Sequence, residues 1–233
     1  MTNKMHKVLI DTSRIKAIIF DFDGVIFNSE PLHWEACNAV FKQIGFTFTY
    51  NYYLEKYVGL SDIEMFPRIL TEYGYNYHID EIKRLMDSKI KAYENIIRAS
   101  SDLMGIQGLP QFLATANKII SSFAICSGST RSELEITLSK LERGSLKNYF
   151  DLIITSEDVR EGKPSPEGYL KVAETLGVSP ESCLVIEDTK NGIFAARNAN
   201  MKVIGLTTTH KMETLIDADF IIDGYDQINF ISS

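Results

Sequence analysis

The segment Ile18-Ile19-Phe20-Asp21-Phe22-Asp23-Gly24-Val25 joins an apolar run of strand length to two carboxylates two residues apart and a glycine. Short apolar runs rich in β-branched residues, bounded by turn signals, read as buried strands. In an extended chain residues i and i+2 point the same way, so Asp21 and Asp23 can converge on one ligand beyond the strand end. Two acids held that close need a cation, a shared proton or a reaction to keep them there. An Asx turn closing the strand accounts for Asp23-Gly24 equally well. This segment alone leaves both readings open.

Three later segments decide between them. Ile125-Cys126-Ser127-Gly128-Ser129 ends another apolar run in a hydroxyl and a glycine. Gly162-Lys163-Pro164-Ser165-Pro166 places one lysine in a stiff loop, with Ser165 as the expected N-cap and Pro166 as the first helical residue. Cys183-Leu184-Val185-Ile186-Glu187-Asp188 ends a further apolar run in two acids. In order the chain offers Asp-x-Asp, Ser, Lys and Glu-Asp, mostly at or just past strand ends, where open α/β sheets bind their ligands. With these four motifs in this order, the sequence resembles the haloacid dehalogenase superfamily, in particular its phosphatase and β-phosphoglucomutase-like members, from Lys16 to about Asp223.

Composition limits the function. A net charge of −7 argues against binding the phosphate backbone of nucleic acid, which takes a basic patch or stripe. It is compatible with a small phosphorylated metabolite, since one lysine and a metal can supply local positive charge. No signal-peptide core is visible, and no apolar run approaches the ~18 residues of a membrane span. The three cysteines, Cys37, Cys126 and Cys183, are scattered and odd in number, and two lie in strand-like runs. They read as free thiols in a reducing compartment. The expectation is a soluble, cytoplasmic monomer with no nucleic-acid or membrane partner.

The organisation follows from periodicity. Strands are predicted at Ile15–Phe20, Phe123–Cys126, Leu152–Thr155, Cys183–Ile186, Lys202–Leu206 and Phe220–Ile222, with a short lead-in strand around Val8–Ile10. Those from residue 103 on alternate with helix-length segments, which implies a parallel sheet covered on both faces. Between residues 30 and 100 no strand-like run occurs. One helix is capped by Ser29 and stopped at Gly45, a second spans about Ser61 to Tyr73, and a third is capped by Asp80 and runs to about Arg98. A short fourth helix is expected within 46–58. The fold class is α/β: a Rossmann-like parallel-sheet core, residues 1–27 and 103–233, with an inserted α-helical cap, residues 28–102.

The resemblance also implies roles. Asp21 matches the nucleophile, a carboxylate already ionised at neutral pH and able to form a covalent phospho-intermediate. Asp23 matches the general acid/base, which benefits from a neighbouring carboxylate that raises its pKa. Ser127 and Lys163 match the phosphate clamps. Four negative groups in one pocket need a hard divalent cation with oxygen ligands, Mg²⁺ by expectation. Asp21, the backbone carbonyl of Asp23 and Asp188 form the implied metal set. Neighbours on a strand face opposite ways, so Glu187 is expected to support that set rather than bind directly. Gly24 and Gly128 are expected phosphate contacts; His33, Gly59 and Lys89 are expected substrate contacts in the cap. Seven of the eleven tyrosines fall within residues 50–77, where bridging short helices explains them better than stacking on a sugar. The activity implied is a Mg²⁺-dependent phosphomonoesterase working through an aspartyl phosphate. A β-phosphoglucomutase is the alternative, but Asp62 stands where mutases offer an arginine to a second phosphate. A non-catalytic phospholigand-binding protein is the remaining reading, and the full motif set disfavours it.

Overall fold

The computed structural model describes residues 7–58 and 60–231. Strands β1 (Val8–Asp11) and β2 (Ala17–Phe20) are followed by four helices, α1 (Glu30–Phe41), α2 (Tyr50–Lys56), α3 (Asp62–Glu72) and α4 (Ile79–Ala99). Then come α5 (Leu109–Ala116), β3 (Ser122–Cys126), α6 (Arg131–Lys140), β4 (Leu152–Ile154), α7 (Glu167–Leu176), β5 (Cys183–Glu187), α8 (Lys190–Asn198), β6 (Lys202–Leu206), β7 (Phe220–Ile222) and β8 (Ile228–Ile231). Contacts divide the chain into two units, one of the residues through Asn28 and from Asp102 on, the other of Ser29–Ser101.

The first unit is an α/β core. Its six-stranded sheet is parallel throughout, in the order β4-β3-β2-β5-β6-β7. Each strand is nearly continuous apolar sequence because both faces are covered. Ala17 and Ile19 of β2 pack with Tyr169, Val172 and Ala173 of α7 and with Ile193 and Ala196 of α8. Phe20, one residue on and therefore on the opposite face, lies against the rings of Phe112, Phe123 and Phe150. Complete burial of side chains such as Ile19 contributes about 1.5–3 kcal/mol each. The chain moves outward from β2 on one side through β3 and β4, then crosses to β5, β6 and β7 on the other. That reversal makes the carboxyl ends of β3, β2 and β5 the topological switch point. Pairing puts Phe20 level with Ile125 of β3 and with Ile186 of β5, so the residues that follow all three strands emerge together.

The six predicted core strands are present, two with the predicted bounds and four with an end shifted by a residue or two. Strand β8 escaped the sequence reading; it pairs in parallel with β1 in a separate two-stranded sheet. Helix α7 begins at Glu167 with Pro166 at the N-cap, one residue later than expected. The Ser165 hydroxyl still accepts from the Glu167 amide, at 3.4 Å.

The second unit holds α1 to α4. The expected short helix is α2, started by the Thr49 side chain accepting from the Tyr52 amide. Ser61 and Glu64 form a capping box on α3. Helix α4 starts earlier than predicted, with His78 at the N-cap; Asp80 and Glu81 instead occupy its first turn, where acids suit the helix dipole. The interior gathers Val40, Phe41, Tyr53, Met65, Phe66, Ile69 and Ile82. The clustered tyrosines knit these helices: Tyr53 donates to Glu30 at 2.7 Å, Tyr75 donates to Glu81 at 2.9 Å, and both Tyr52 and Tyr57 donate to Glu72. Among the described residues, no helix is long and apolar enough to cross a membrane.

Candidate active site

Asp21 is the first residue past β2, and its amide continues the ladder to the Ile186 carbonyl at 3.0 Å. Its carboxylate is buried and accepts from Lys163 Nζ at 2.6 Å. The same ammonium donates to Glu187 Oε1 at 2.6 Å. Glu187, fully buried at the end of β5, is the best-held acid of the group. Its Oε1 also accepts from the Tyr169 hydroxyl at 2.9 Å, and its Oε2 accepts from the Asp188 amide, the Thr189 amide and the Thr189 hydroxyl, each at 3.0 Å. Gly192 makes room for this cluster, since a Cβ there would lie 1.7 Å from Glu187 Oε1.

The loop that delivers Lys163 is itself tied down. Glu167, at the start of α7, accepts the Arg160 and Glu161 amides at 3.0 Å each. Lys171 Nζ donates to the Asp158 carbonyl at 2.6 Å. The stiffness anticipated for this loop thus comes from α7 side chains as well as from its prolines.

Asp188 follows Glu187 and is also buried. Thr209, on the loop after β6, donates its hydroxyl to Asp188 Oδ2. Asp188 Oδ1 is buried with no hydrogen-bond partner among the described residues. Gly24, with φ of +75°, passes close by; a Cβ there would fall 2.0 Å from Asp188 Oδ2. One oxygen each from Asp21, Glu187 and Asp188 lie within 4.8 Å of one another. The two consecutive acids therefore converge instead of diverging, because β5 ends at Glu187 and strand alternation no longer governs Asp188.

Electrostatics follow from burial. Burial pushes the Asp21 carboxyl up to about 7; Lys163 opposes the shift, while the Glu187 and Asp23 charges add to it. Burial, then the charges of Glu187 and Asp21, raise Asp188 well above the carboxylate range. Burial would raise Glu187 too, but Lys163 and its hydrogen-bond donors hold it below its ordinary value. Lys163 stays firmly protonated, because Asp21 and Glu187 outweigh the effect of its burial.

Asp23 sits in the turn after β2 and accepts from the Ser129 hydroxyl at 2.6 Å. Ser127 is buried just past β3, where its hydroxyl accepts the Ser129 amide at 3.0 Å. Around Gly128 the space is open. Ser129, Tyr169, Thr189 and Thr209 belong to this network, yet the sequence reading singled out none of them. For Thr209 a signal existed: Thr207-Thr208-Thr209 directly follows a strand at the carboxyl edge of the sheet.

The expected cap residues lie in the second unit. Lys89 is buried, with Nζ 3.0 Å from Asp62 Oδ2 and 5.8 Å from the Tyr93 ring centre. His33 stacks on Tyr93, centroids 4.4 Å apart and planes at 12°. Gly59 lies outside the described residues.

A parallel sheet with acids, hydroxyls and one lysine at its switch point defines a hydrolase of the haloacid dehalogenase type. Residues 18–206 match the haloacid dehalogenase-like hydrolase family, and the chain belongs to it. It is 29% identical over 191 residues to a phosphorylated carbohydrates phosphatase of Thermotoga maritima, covering 82% of this chain and 84% of that one. It is 28% identical over 215 residues to validoxylamine A 7'-phosphate phosphatase of Streptomyces hygroscopicus subsp. limoneus, covering 92% and 96%. A β-phosphoglucomutase of Clostridium difficile superposes with a TM-score of 0.74 at 28% identity, over 91% of this chain and 92% of the other.

Proposed function

We propose that this enzyme is a Mg²⁺-dependent phosphomonoesterase of small phosphorylated metabolites, with a sugar phosphate as the favoured class. The observation that carries the reading is the convergence of Asp21, Glu187 and Asp188 around one lysine, with Asp188 Oδ1 buried and without a partner among the described residues. Three carboxylates against one ammonium leave a negative excess, and an all-oxygen donor set suits a hard cation. The residues present therefore fit a divalent metal. Asp21, Asp188 and the Asp23 backbone carbonyl would hold it, and its charge would offset that of the phosphoryl group. Glu187, with both oxygens engaged by protein donors, anchors Lys163 instead.

In this reading an Asp21 oxygen attacks phosphorus and forms an acyl–phosphate bond as the ester P–O bond breaks. Asp23, oriented by Ser129, gives the leaving alkoxide its proton and later takes one from the water that cleaves the aspartyl phosphate. Lys163 and Ser127 steady the phosphoryl oxygens, and no atom lies within 4 Å of where a Cβ on Gly128 would sit, so nothing crowds the backbone beside Ser127. Lys89 and His33, at the Tyr93 ring, are the cap side chains assigned to substrate, along with Gly59. The likeness to a β-phosphoglucomutase supports mutase activity as a second reading. Against it, Asp62 neutralises Lys89, so that pair adds no net positive charge for a second phosphate. Three buried free thiols support residence in a reducing compartment such as the cytoplasm, and the protein is read as a monomer.

The test is a panel of phosphorylated metabolites, scored for phosphate release and for isomer formation, with Mg²⁺ and with a chelator. Phosphate release that needs Mg²⁺ and vanishes in Asp21→Asn supports the reading. Substantial turnover by Asp21→Asn, or isomerisation of a sugar 1-phosphate without net phosphate release, would overturn it.

A further inference from the structure

Thr209 belongs to none of the four motifs, yet its hydroxyl is the partner that the Asp188 carboxylate has among the described residues. A threonine hydroxyl has one proton to give, and Asp188, ionised as a metal-ligating carboxylate must be, can only accept. That proton therefore goes to Asp188 Oδ2. Thr209 Oγ1 also lies 2.9 Å from His210 Nδ1. With the hydroxyl proton already committed, the contact requires Nδ1 to carry the hydrogen and donate, which fixes the imidazole tautomer. His210 thus holds the Thr209 hydroxyl from behind while the hydroxyl holds Asp188.

Packing reinforces the arrangement. A Cβ on Gly24 would meet Asp188 Oδ2 at 2.0 Å and Thr209 Cγ2 at 2.8 Å, so the carboxylate is wedged between the Gly24 backbone and the Thr209 side chain. One carboxylate oxygen is pinned, and the other is buried with no partner among the described residues. We propose that Thr209 is the positioning residue that orients Asp188 to receive a divalent cation, with His210 fixing the Thr209 rotamer. The proposal rests on the metal-dependent reading above. Removing a partner that orients a metal ligand costs 10–100-fold in metal affinity as a rule.

The experiment titrates Mg²⁺ into the purified full-length protein without substrate, by calorimetry and by the Mg²⁺-dependent rise in melting temperature. Wild type is compared with Asp188→Ala, Thr209→Val, Thr209→Ser and His210→Ala. Thr209→Val keeps the shape and removes the hydroxyl, and should weaken Mg²⁺ binding by about 10-fold or more. Thr209→Ser, which restores the donor, should stay within about 3-fold of wild type, well inside that range. His210→Ala should shift affinity in the same direction as Thr209→Val but by less. If Thr209→Val does not fold, Thr209→Ala is read in its place against Thr209→Ser. Wild-type affinity in the hydroxyl-less variant, alongside a clear loss in Asp188→Ala, overturns the positioning role and leaves the metal site standing. No Mg²⁺ binding by wild type, or equal binding by Asp188→Ala, overturns the metal site and the proposal with it.

Discussion

Glu187→Gln changes one atom, and the structure sets its cost. Five donors converge on the two oxygens of Glu187: Lys163 and Tyr169 on Oε1, and the Asp188 amide with the Thr189 amide and hydroxyl on Oε2. A glutamine must point its NH₂ at one of these groups. Aimed at the Oε2 set it would meet two fixed backbone amides, so the lesser conflict is with Oε1. There Tyr169 can rotate its hydroxyl and accept, but Lys163 cannot accept at all. The variant thus loses one charge-assisted hydrogen bond, about 1.5–3 kcal/mol, and sets a donor against a buried ammonium. Breaking a buried ion pair by removing one partner costs about 3–5 kcal/mol. Because Lys163 keeps Asp21 and its side chain is 17% exposed, the lower end, about 3 kcal/mol, applies. Urea unfolding followed by circular dichroism, with chelator present, measures this. A double-mutant cycle with Lys163→Met should show coupling, the pair costing less than the sum of the single changes. A loss under about 1 kcal/mol, the range of an exposed pair, or strict additivity in the cycle, would refute the argument.

Other outcomes follow from the same contacts. Partial burial pushes Asp158 up, but the Thr155 amide and hydroxyl and the Arg131 guanidinium hold its carboxyl below the ordinary 3.8. Its contribution to stability is therefore complete above the unfolded value and lost as pH falls through the folded one. Asp158→Asn should be less stable than wild type at neutral pH, with the gap closing below pH 3.8; a gap that widens in acid would contradict the sign. Burial pushes the thiol of Cys126 up to about 12 and that of Cys183 up to about 11, and raises Cys37 further. All three should resist iodoacetamide at pH 8 until the protein is denatured, as judged by mass spectrometry. Rapid labelling of any one in the native state would show that its pocket opens.

The core strands and the principal acids were legible in the sequence because both depend on local pattern. Ile18–Phe20 and Cys183–Ile186 are apolar runs that only a sheet covered on both faces buries completely. Strand β8 was not legible: Ile228-Asn229-Phe230-Ile231 lacks a flanking helix-length segment, and it pairs with a strand more than 200 residues earlier. The ion pair between Asp62 and Lys89 joins residues 27 apart on two helices, a proximity created by packing rather than by spacing. The start of α4 was misplaced by two residues and that of α7 by one, since His78 and Pro166 can end the preceding loop through backbone geometry alone. Ser129, Tyr169 and Thr209 were missed because their partners are set by register and by loop path.

Register also explains how apolar sequence governs the polar site. Asp21 and Glu187 face one lysine because β2 and β5 pair with Phe20 level with Ile186. Side-chain direction in a strand repeats every two residues, so a slip of one residue between β2 and β5 would turn one set of carboxylates away from the other. The slip is opposed by the packing of Ala17 and Ile19 with Cys183 and Val185 on one face and of Phe20 with three aromatic rings on the other. Moving those side chains to the wrong faces would forfeit about 1.5–3 kcal/mol for each large one. This exceeds the roughly 0.2–1 kcal/mol that a single cross-strand pair contributes. The placement of the acids is thus secured by hydrophobic alternation one to four residues before them, which holds them together despite the burial and, after it, the mutual repulsion that raise Asp21 and Asp188.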